Sequence, residues 1–312
     1  MKKIISLTTV VLAATTLLMS SCEKVNPRAL SQTEKKSITE LVKQSPQHNF
    51  LHAAIVKAGL ATTLGGNGTF TVFAPTDDAF RAAGFPNVKA VQDAPADVLQ
   101  GILLYHALGS EVRSANVQGL NAEPVTTLAN KDFYVTGKDG KVWVNNAMVT
   151  NKDIMASNGV IHVIDKVLIP PSQNLVELAQ SNPNLSSLVA AVLQLGEGTV
   201  NLLATGGPFT VMAPTNQAFA NLLTALGTTL PEIPDAQLAA VLTYHLVPAR
   251  VFSYNLTEGL KAPTVQGGEL TFTLSGGAKV KGNGNATASN IVAVDILATN
   301  GVVHVIDQVL LP

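Results

Sequence analysis

Residues 71–80 read TVFAPTDDAF, and the stretch returns at residues 210–219 as TVMAPTNQAF, with seven of ten positions identical. Residues 158–170 read NGVIHVIDKVLIP and return at residues 300–312 as NGVVHVIDQVLLP, with ten of thirteen positions identical. The first motif repeats after 139 residues and the second after 142. Such a period is the length of a domain and too long for a solenoid repeat, so the sequence predicts two tandem globular domains.

The repeat also indicates where each domain lies. We predict copy one at residues 37–170 and copy two at residues 174–312. Residues 171–173 join them, and the pair Pro170-Pro171 makes this linker short and stiff. We therefore expect the two domains to adopt a limited range of orientations.

The composition restricts the partners that the chain can attract through charge. Charged residues make up 13% of the 312 residues, and the formal net charge is −1. Soluble domains average about 25% charged residues. A chain this close to neutral has no general electrostatic attraction for nucleic acid or anionic membranes. We expect a surface of neutral polar side chains, which favours contacts through hydrogen bonds.

The first 21 residues have the pattern of a secretory signal peptide. Two lysines precede an uncharged apolar stretch at residues 4–19, which is short for a membrane span. The following MSSC, residues 19–22, resembles the bacterial lipobox, although that box usually has Leu first and Gly or Ala third. We expect Cys22, the single cysteine, to carry lipid, with residues 22–36 as a flexible tether. The alternative is a plain secretory signal with an unmodified cysteine.

Capping residues indicate where helices begin. Ser37 and Glu40 have the spacing of a capping box, and Thr76 is well placed as an N-cap, as is Thr215 in copy two. Short apolar strands are predicted just before these threonines, at residues 69–73 and 208–212. We expect Pro75 and Pro214 to end these strands, because proline cannot donate to a sheet.

A longer helix is predicted before the Tyr-His pair of each copy. Leucines and a histidine fall at positions i, i+4 and i+7 of one helical face. These residues are Leu99, Leu103 and His106 in copy one and Leu238, Leu242 and His245 in copy two. In copy two we expect the helix to begin at Pro234 and to end at Pro248.

The later part of each copy is predicted to form strands. Asp139-Gly140 is a type I′ hairpin signal, and residues 275–277 (SGG) take its place in copy two. Residues 282–285 (GNGN) predict a lengthened hairpin loop. Residues 160–168 are apolar on both faces, which predicts a strand in the middle of a sheet. Helices come mostly first and strands later, so the predicted class is α+β.

The two motifs and the Tyr-His pair resemble, in their order and spacing, the conserved blocks of fasciclin (FAS1) domains. The resemblance covers both copies, from residue 37 to residue 312. It implies that each domain is a twisted β-sandwich wedge of about seven strands with helices packed along one edge. It also implies extracellular adhesion or matrix binding, often through tandem copies on a lipid or membrane anchor, without enzyme activity.

The sequence contains no recognisable catalytic, cofactor or metal site. It has no nucleophile elbow, zinc-protease motif, P-loop or calcium loop. His106 and His245 share a helical face with leucines, and His162 and His304 alternate with apolar residues along a strand. We interpret all four as buried neutral imidazoles, because two histidines per domain are too few ligands for zinc. We therefore predict no catalytic residues, no cofactor and no metal.

Two segments remain as candidates for an adhesive contact. The Tyr-His pair is discussed in the fasciclin family as part of the adhesive surface, and its alternative role is to tie a helix to neighbouring loops. Animal relatives contact integrins through a segment similar to the Asp-Ile pair, and the alternative is that Ile packs in the core while Asp caps a turn. The candidate residues are Tyr105, His106, Tyr244, His245, Asp153, Ile154, Asp295 and Ile296.

These features together predict a non-catalytic adhesion or binding lipoprotein of the bacterial cell envelope. We expect anchoring through the N-terminal lipid in the outer membrane, on its surface or periplasmic face, with extracellular protein, polysaccharide or a second copy as partner, and no nucleic acid. Tandem domains would add avidity, since the second contact becomes intramolecular. The alternatives are a periplasmic structural scaffold and an accessory protein that binds a small ligand.

Overall fold

The fold is taken from a computed structural model, which describes residues 35–312. The predicted signal peptide, Cys22 and all but the last two residues of the predicted tether lie outside the described residues. We refer to the two copies as domain 1 and domain 2; together, Lys36–Pro312 form one compact unit. No helix within residues 35–312 combines the length and apolar character needed to cross a membrane.

Domain 1 begins with helices and continues with strands. Its helices are α1 (Ile38–Gln44), α2 (Asn49–Lys57), α3 (Ala61–Gly65), α4 (Asp77–Ala82), α5 (Val88–Asp93) and α6 (Ala96–Tyr105). Its strands are β1 (Phe70–Pro75), β2 (Ala107–Leu108), β3 (Glu123–Thr126), β4 (Asp132–Lys138), β5 (Lys141–Val144), β6 (Ala147–Ala156) and β7 (Gly159–Ile164). The first motif therefore forms β1 and the start of α4, and the second motif begins with β7.

Domain 2 repeats this order. Its helices are α7 (Leu175–Ser181), α8 (Ser186–Gln194), α9 (Glu197–Thr205), α10 (Asn216–Leu226) and α11 (Asp235–Tyr244). Its strands are β8 (Phe209–Pro214), β9 (Leu246–Val247), β10 (Lys261–Pro263), β11 (Glu269–Thr273), β12 (Lys279–Lys281), β13 (Ser289–Ala298) and β14 (Gly301–Ile306). As predicted, the GNGN residues 282–285 lie in a lengthened loop, between β12 and β13.

Each domain contains a mixed seven-stranded sheet. The strand order is β2-β1-β7-β6-β5-β4-β3 in domain 1 and β10-β11-β12-β13-β14-β8-β9 in domain 2. The two motif strands pair in parallel, with Phe70 opposite Gly159 and Pro75 opposite Ile164, while the other pairs are antiparallel. Every residue of β7 is buried, so the prediction of a central strand is confirmed.

The sheet of domain 1 folds around an apolar core and carries the helices on its other side. Phe73 of β1 meets Phe133 of β4 edge to face, with ring centroids 5.2 Å apart. The neighbouring Val72 points the opposite way and packs with Leu51 and Leu103 of the helices. Because successive side chains of a strand alternate between faces, β1 contributes to both cores. The predicted α+β wedge of seven strands with helices is confirmed.

The predicted capping signals are confirmed. The Ser37 hydroxyl accepts a hydrogen bond from the backbone N–H of Glu40, and the Glu40 carboxylate accepts from the Ser37 N–H at 2.7 Å. Thr76 and Thr215 each cap the helix that follows, through a 3.2 Å bond from the backbone N–H three residues on. Asp139 and Gly140 both have positive φ, as a type I′ turn requires.

Three predicted ends differ from the structure. The central strand predicted at residues 160–168 ends at Ile164, and beyond it the Leu168 N–H donates to His106 and not to a neighbouring strand. Strands β1 and β8 include Pro75 and Pro214, because each proline is the last strand residue, where its missing N–H costs little of the sheet ladder. Helix α11 ends at Tyr244, before Pro248. The reason is that Leu246 and Val247 leave the helix to form β9, which pairs with β8.

An asparagine ties the second motif to the helices in each domain, and in domain 1 this residue, Asn158, is buried. The Asn158 side-chain oxygen accepts from the Ile38 N–H at 2.9 Å, and its amide group donates to the carbonyls of Leu64 and Gly66 at 2.9 and 3.0 Å. Next to it, Gly159 has φ +144, and a Cβ at this position would collide with the Phe70 carbonyl. The Asn-Gly pair that opens the motif is therefore required by close backbone packing.

Asn300 makes the same three contacts in domain 2. Its oxygen accepts from the Leu175 N–H at 3.0 Å, and its amide donates to the carbonyls of Leu203 and Gly206 at 2.9 and 2.8 Å. In both domains one amide thus joins the start of the first helix, the end of the third helix and the strand turn. A buried polar group without these partners would be costly.

We predict that Asn158→Ala lowers the free energy of unfolding by about 2–4 kcal/mol, because three backbone groups lose their partner, two of them in buried hydrogen bonds. Denaturant unfolding of the purified protein measures the change. Asn151→Ala is the matched control, since Asn151 is exposed, and it should change stability by less than about 0.5 kcal/mol. Equal stability of the two variants would contradict the proposed role of Asn158.

Candidate functional site

The tyrosine of the Tyr-His pair is buried and joins strands. Tyr105 has no exposed surface; its hydroxyl donates to the Asp132 carbonyl at 2.8 Å and accepts from the Asn145 amide at 3.1 Å. Burial raises the pKa of Tyr105 to about 12. Tyr244 is equally buried; its hydroxyl donates to the Glu269 carbonyl at 2.6 Å. These tyrosines are placed to hold the sheet and not to contact a partner.

The histidine of the pair is a neutral link between two backbone segments. His106 Nδ1 donates to the Ile102 carbonyl at 2.8 Å, and its Nε2 accepts from the Leu168 N–H at 2.9 Å. His245 makes the same bonds, to Val241 at 2.7 Å and from Leu310 at 2.9 Å. Burial lowers the pKa of both histidines to about 4. Because Nε2 must accept, only the neutral imidazole fits.

The Asp-Ile segment lies at a bulge in β6. Asp153 has φ +60 and interrupts the register of β6 with β7. Its carboxylate accepts from the Ser114 N–H at 2.8 Å and also from the Ser114 hydroxyl. Partial burial opposes ionisation, but these hydrogen bonds outweigh it and lower the pKa of Asp153. Ile154 packs against the helical core, so the segment is built into the domain.

The other two histidines hold the same turn from the opposite side. His162 Nδ1 accepts from the Asp153 N–H at 3.2 Å, and its Nε2 donates to the Val112 carbonyl at 2.8 Å. His304 bonds in the same way to Asp295 at 3.4 Å and to Val251 at 2.8 Å. Burial lowers the pKa of both histidines.

Domain 2 repeats the carboxylate contact. Asp295 accepts from the Ser253 N–H at 2.7 Å and from its hydroxyl at 2.5 Å. Ile296 packs against the helical core of domain 2, as Ile154 does in domain 1. The Tyr-His and Asp-Ile residues therefore form separate internal clusters and do not converge on one cleft. Residues 35–312 contain no group of three or more His, Cys, Asp or Glu placed to hold a metal ion.

The described domains also meet through an aromatic contact that the sequence analysis did not anticipate. Tyr254 of domain 2 stacks on Trp143 of domain 1, with ring centroids 4.8 Å apart and planes 12° apart. Phe252 stacks on the far side of Tyr254 at 5.3 Å. Asn255 adds a 3.0 Å hydrogen bond to Asn121. A three-ring stack and a polar contact thus join the two domains.

A cation–π contact supports the same junction. The Arg250 guanidinium lies over the Tyr134 ring, 3.9 Å from its centroid, and donates to the Thr299 carbonyl at 2.8 Å. Burial lowers the pKa of Arg250 and raises that of Tyr134. Lysine could not replace this arginine, because only a planar guanidinium both stacks and donates in fixed directions.

The residues of this contact differ between the two copies. The two domains can be aligned through the hydrogen bonds of Tyr105 and Tyr244 and through the strand registers. In this alignment Tyr134 corresponds to Thr271, and Trp143 corresponds to Lys279. The shared Ser-Asp contact likewise aligns Tyr254 with Ala115. Each contact residue is thus aromatic in one copy only. Each domain uses a different part of its surface in the junction, so the equivalent positions of the other domain need no aromatic residue.

The buried histidines predict a specific pH dependence. A free histidine has a pKa of about 6.5, so below that pH the unfolded chain binds protons that folded His106 and His245 exclude. Their stabilising contribution is complete above about pH 6.5 and is lost progressively as the pH falls to about 4. Each imidazole adds a slope of up to about 1.4 kcal/mol per pH unit. Denaturant unfolding over this range measures the slope.

The variant His106→Gln tests the assignment. Its amide oxygen can still accept from Leu168, but the side chain does not titrate. We expect lower stability than the wild type at neutral pH and a flatter dependence between about pH 6.5 and pH 4. Parallel curves for the two proteins would show that His106 does not couple folding to protonation.

We predict that Tyr254→Ala exposes Trp143, the only tryptophan of the chain, and shifts its fluorescence emission to longer wavelength. The lost stack should cost the domain contact about 0.5–1.5 kcal/mol. Tyr254→Phe keeps the ring and is the matched control, with emission like that of the wild type. An unchanged spectrum for Tyr254→Ala would exclude the stacked junction in solution.

Comparison with known proteins agrees with the duplicated architecture. The fasciclin domain family matches residues 46–170 and 183–312. "Transforming growth factor-beta-induced protein ig-h3" of Oryctolagus cuniculus is 31% identical over 249 residues, a match that covers 79% of this chain and 35% of that protein. This chain thus spans about a third of the length of the ig-h3 relatives that it matches.

A bacterial protein and a solved structure are also similar. "Protein sll1483" of Synechocystis sp. is 39% identical over 171 residues, covering 53% of this chain and 93% of that protein. The structure of a FAS1 domain pair from the insect cell adhesion molecule Fasciclin I has a TM-score of 0.41 and 20% identity, and covers 84% of this chain and 96% of that chain. Since the family matches most of both copies, the chain belongs to the fasciclin (FAS1) domain family and carries two such domains.

Proposed function

We propose that this protein is a lipid-anchored, non-catalytic adhesion protein of the bacterial cell envelope. Fasciclin-domain relatives are proteins of adhesion and of the extracellular matrix, and the family is generally not enzymatic. The observation that carries the proposal is that the four histidines of the repeated motifs are occupied by hydrogen bonds inside the domains. His106, His162 and their counterparts in domain 2 bond to backbone groups on both ring nitrogens.

The carboxylates nearest to these histidines are also occupied. Asp153 and Asp295 each accept two hydrogen bonds from a serine and hold a turn. General acid–base catalysis needs a group with a pKa near the working pH that can reach substrate. Buried imidazoles with lowered pKa values, bonded on both sides, do not meet that requirement. The geometry favours binding over turnover.

The junction between the domains supports a bivalent contact. The Trp143–Tyr254 stack and the Arg250–Tyr134 contact restrict the relative motion of the domains. A partner with repeating sites, such as a polysaccharide or a matrix protein, could then engage both domains with little further loss of entropy. The near-neutral chain favours hydrogen-bonded recognition of such a partner over charge steering.

The proposed anchor is a lipid on Cys22, with residues up to 36 as a tether. Each buried methylene adds about 0.8 kcal/mol of membrane affinity, so two or more acyl chains hold a protein durably. We place the protein in the outer membrane with its domains facing outward. Extracellular protein, polysaccharide or another copy of the chain would be the partner.

Protease treatment of intact cells tests this placement. We expect wild-type protein to be cleaved on whole cells, and Cys22→Ala protein to be absent from the membrane fraction. A soluble periplasmic protein, which must stay intact, is the control for cell integrity. If the wild-type protein survives until the outer membrane is broken, adhesion to external surfaces is excluded, and a periplasmic scaffold becomes the better explanation.

A further inference from the structure

The sandwich of domain 1 contains a cavity at the end formed by the turn after Val112. Its volume is about 170 Å³. The side chains that form its walls are Phe73, Leu108, Val117, Val135, Val142 and His162. Arg113 and Asn116, both exposed, stand at its mouth. The cavity therefore connects the apolar core of the sandwich with solvent at one place.

The polar groups around the cavity already have partners. Both ring nitrogens of His162 bond to backbone groups, at 3.2 Å from the Asp153 N–H and 2.8 Å to the Val112 carbonyl. The Ser114 hydroxyl donates to Asp153. A molecule inside would find no free donor or acceptor there, so the cavity selects against charged and strongly polar groups.

The size and walls of the cavity suit a planar ring. An apolar cavity of about 150 Å³ in another protein stays dry and binds benzene. Two of the cavity walls, Phe73 and His162, are rings whose centroids lie 5.3 Å apart, and a bound ring could pack against either of them. Rings in proteins prefer offset and edge-to-face neighbours.

Domain 2 places its own ring at the corresponding position. Asp132 and Glu269 are equivalent, because each receives the tyrosine hydroxyl of its domain. Three residues further along, domain 1 has Val135 and domain 2 has Phe272, which is 1% exposed and packs in the sandwich core. Domain 1 instead carries a ring two residues earlier, at Phe133, where domain 2 has Leu270, so the two sandwich cores place their rings differently and domain 1 has the smaller side chain beside the cavity.

We propose that domain 1 binds a single uncharged aromatic ring in this cavity. The ring enters past Arg113 and Asn116, and any polar substituent stays at the mouth. The same chemistry can come from a free aromatic molecule or from the aromatic side chain of a partner. Its walls Val135 and Val142 neighbour the junction residues Tyr134 and Trp143 along their strands, so they face the opposite side of the sheet from the junction. The proposal stands whether or not the protein is an adhesin.

Two probes test the proposal on the purified protein, followed by backbone amide chemical shifts in NMR. Toluene represents a free ring, and N-acetyl-phenylalaninamide represents a ring carried on a peptide backbone. We expect toluene to shift the amides of Val112, Val117 and Val135 in a saturable way. A response to both probes would show that the cavity also accepts an aromatic side chain of a partner protein. A response to toluene alone would show that it accepts only free aromatic molecules.

Matched variants identify the cavity as the site. Val135→Phe introduces the ring that domain 2 carries, and it should weaken toluene binding at least tenfold, or about 1.4 kcal/mol. Val117→Leu adds one methylene and should weaken it less, which provides a second test if the larger change disturbs folding. Phe272→Val changes only domain 2 and should leave the domain 1 shifts as they are. The proposal is overturned if toluene causes no saturable shift in the wild-type protein. It is also overturned if Val135→Phe and Val117→Leu both bind toluene as tightly as the wild type.

Discussion

The parallel pairing of the two motif strands is the interaction on which each domain depends. It joins β1 to β7 in domain 1 and β8 to β14 in domain 2. The two strands of each pair are distant in sequence, so the helices and strands between them form one long crossover connection. Gly159 allows the backbones to approach, and the Asn158 amide fixes the first and third helices to the same point. The most repeated residues of the chain are therefore those that close its fold.

The same logic explains the residues that look like a functional site. His106, His162 and their counterparts in domain 2 each accept one backbone N–H and donate to one carbonyl, so they replace missing ladder bonds where loops cross the sheet. A neutral imidazole suits this task because it has one donor and one acceptor on opposite sides. Their recurrence in both copies therefore follows from the fold.

The duplication in the sequence was enough to predict two domains, their α+β class, the central strand and most helix starts, because these depend on local capping and on periodicity. The stack of Trp143 on Tyr254 was not predictable in the same way, since it joins residues that are far apart and differ between the copies. The ends at Pro75 and Pro214 were set by long-range pairing with β7 and β14. The burial of His106 and His245 was predicted from their apolar helical face and is confirmed, whereas the partners of Tyr105 and Tyr244 lie on distant strands and were not predictable.

His106, His162 and their counterparts bond inside the two domains, and we propose that the surface of this two-domain body makes the adhesive contacts. Attachment of cells to coated surfaces tests this account most directly, with a deletion strain compared to the same strain carrying the wild-type gene. The account predicts that the deletion strain attaches less to at least one coating of matrix protein or polysaccharide, and that the gene restores attachment. Equal attachment of both strains on every coating would contradict an adhesive role.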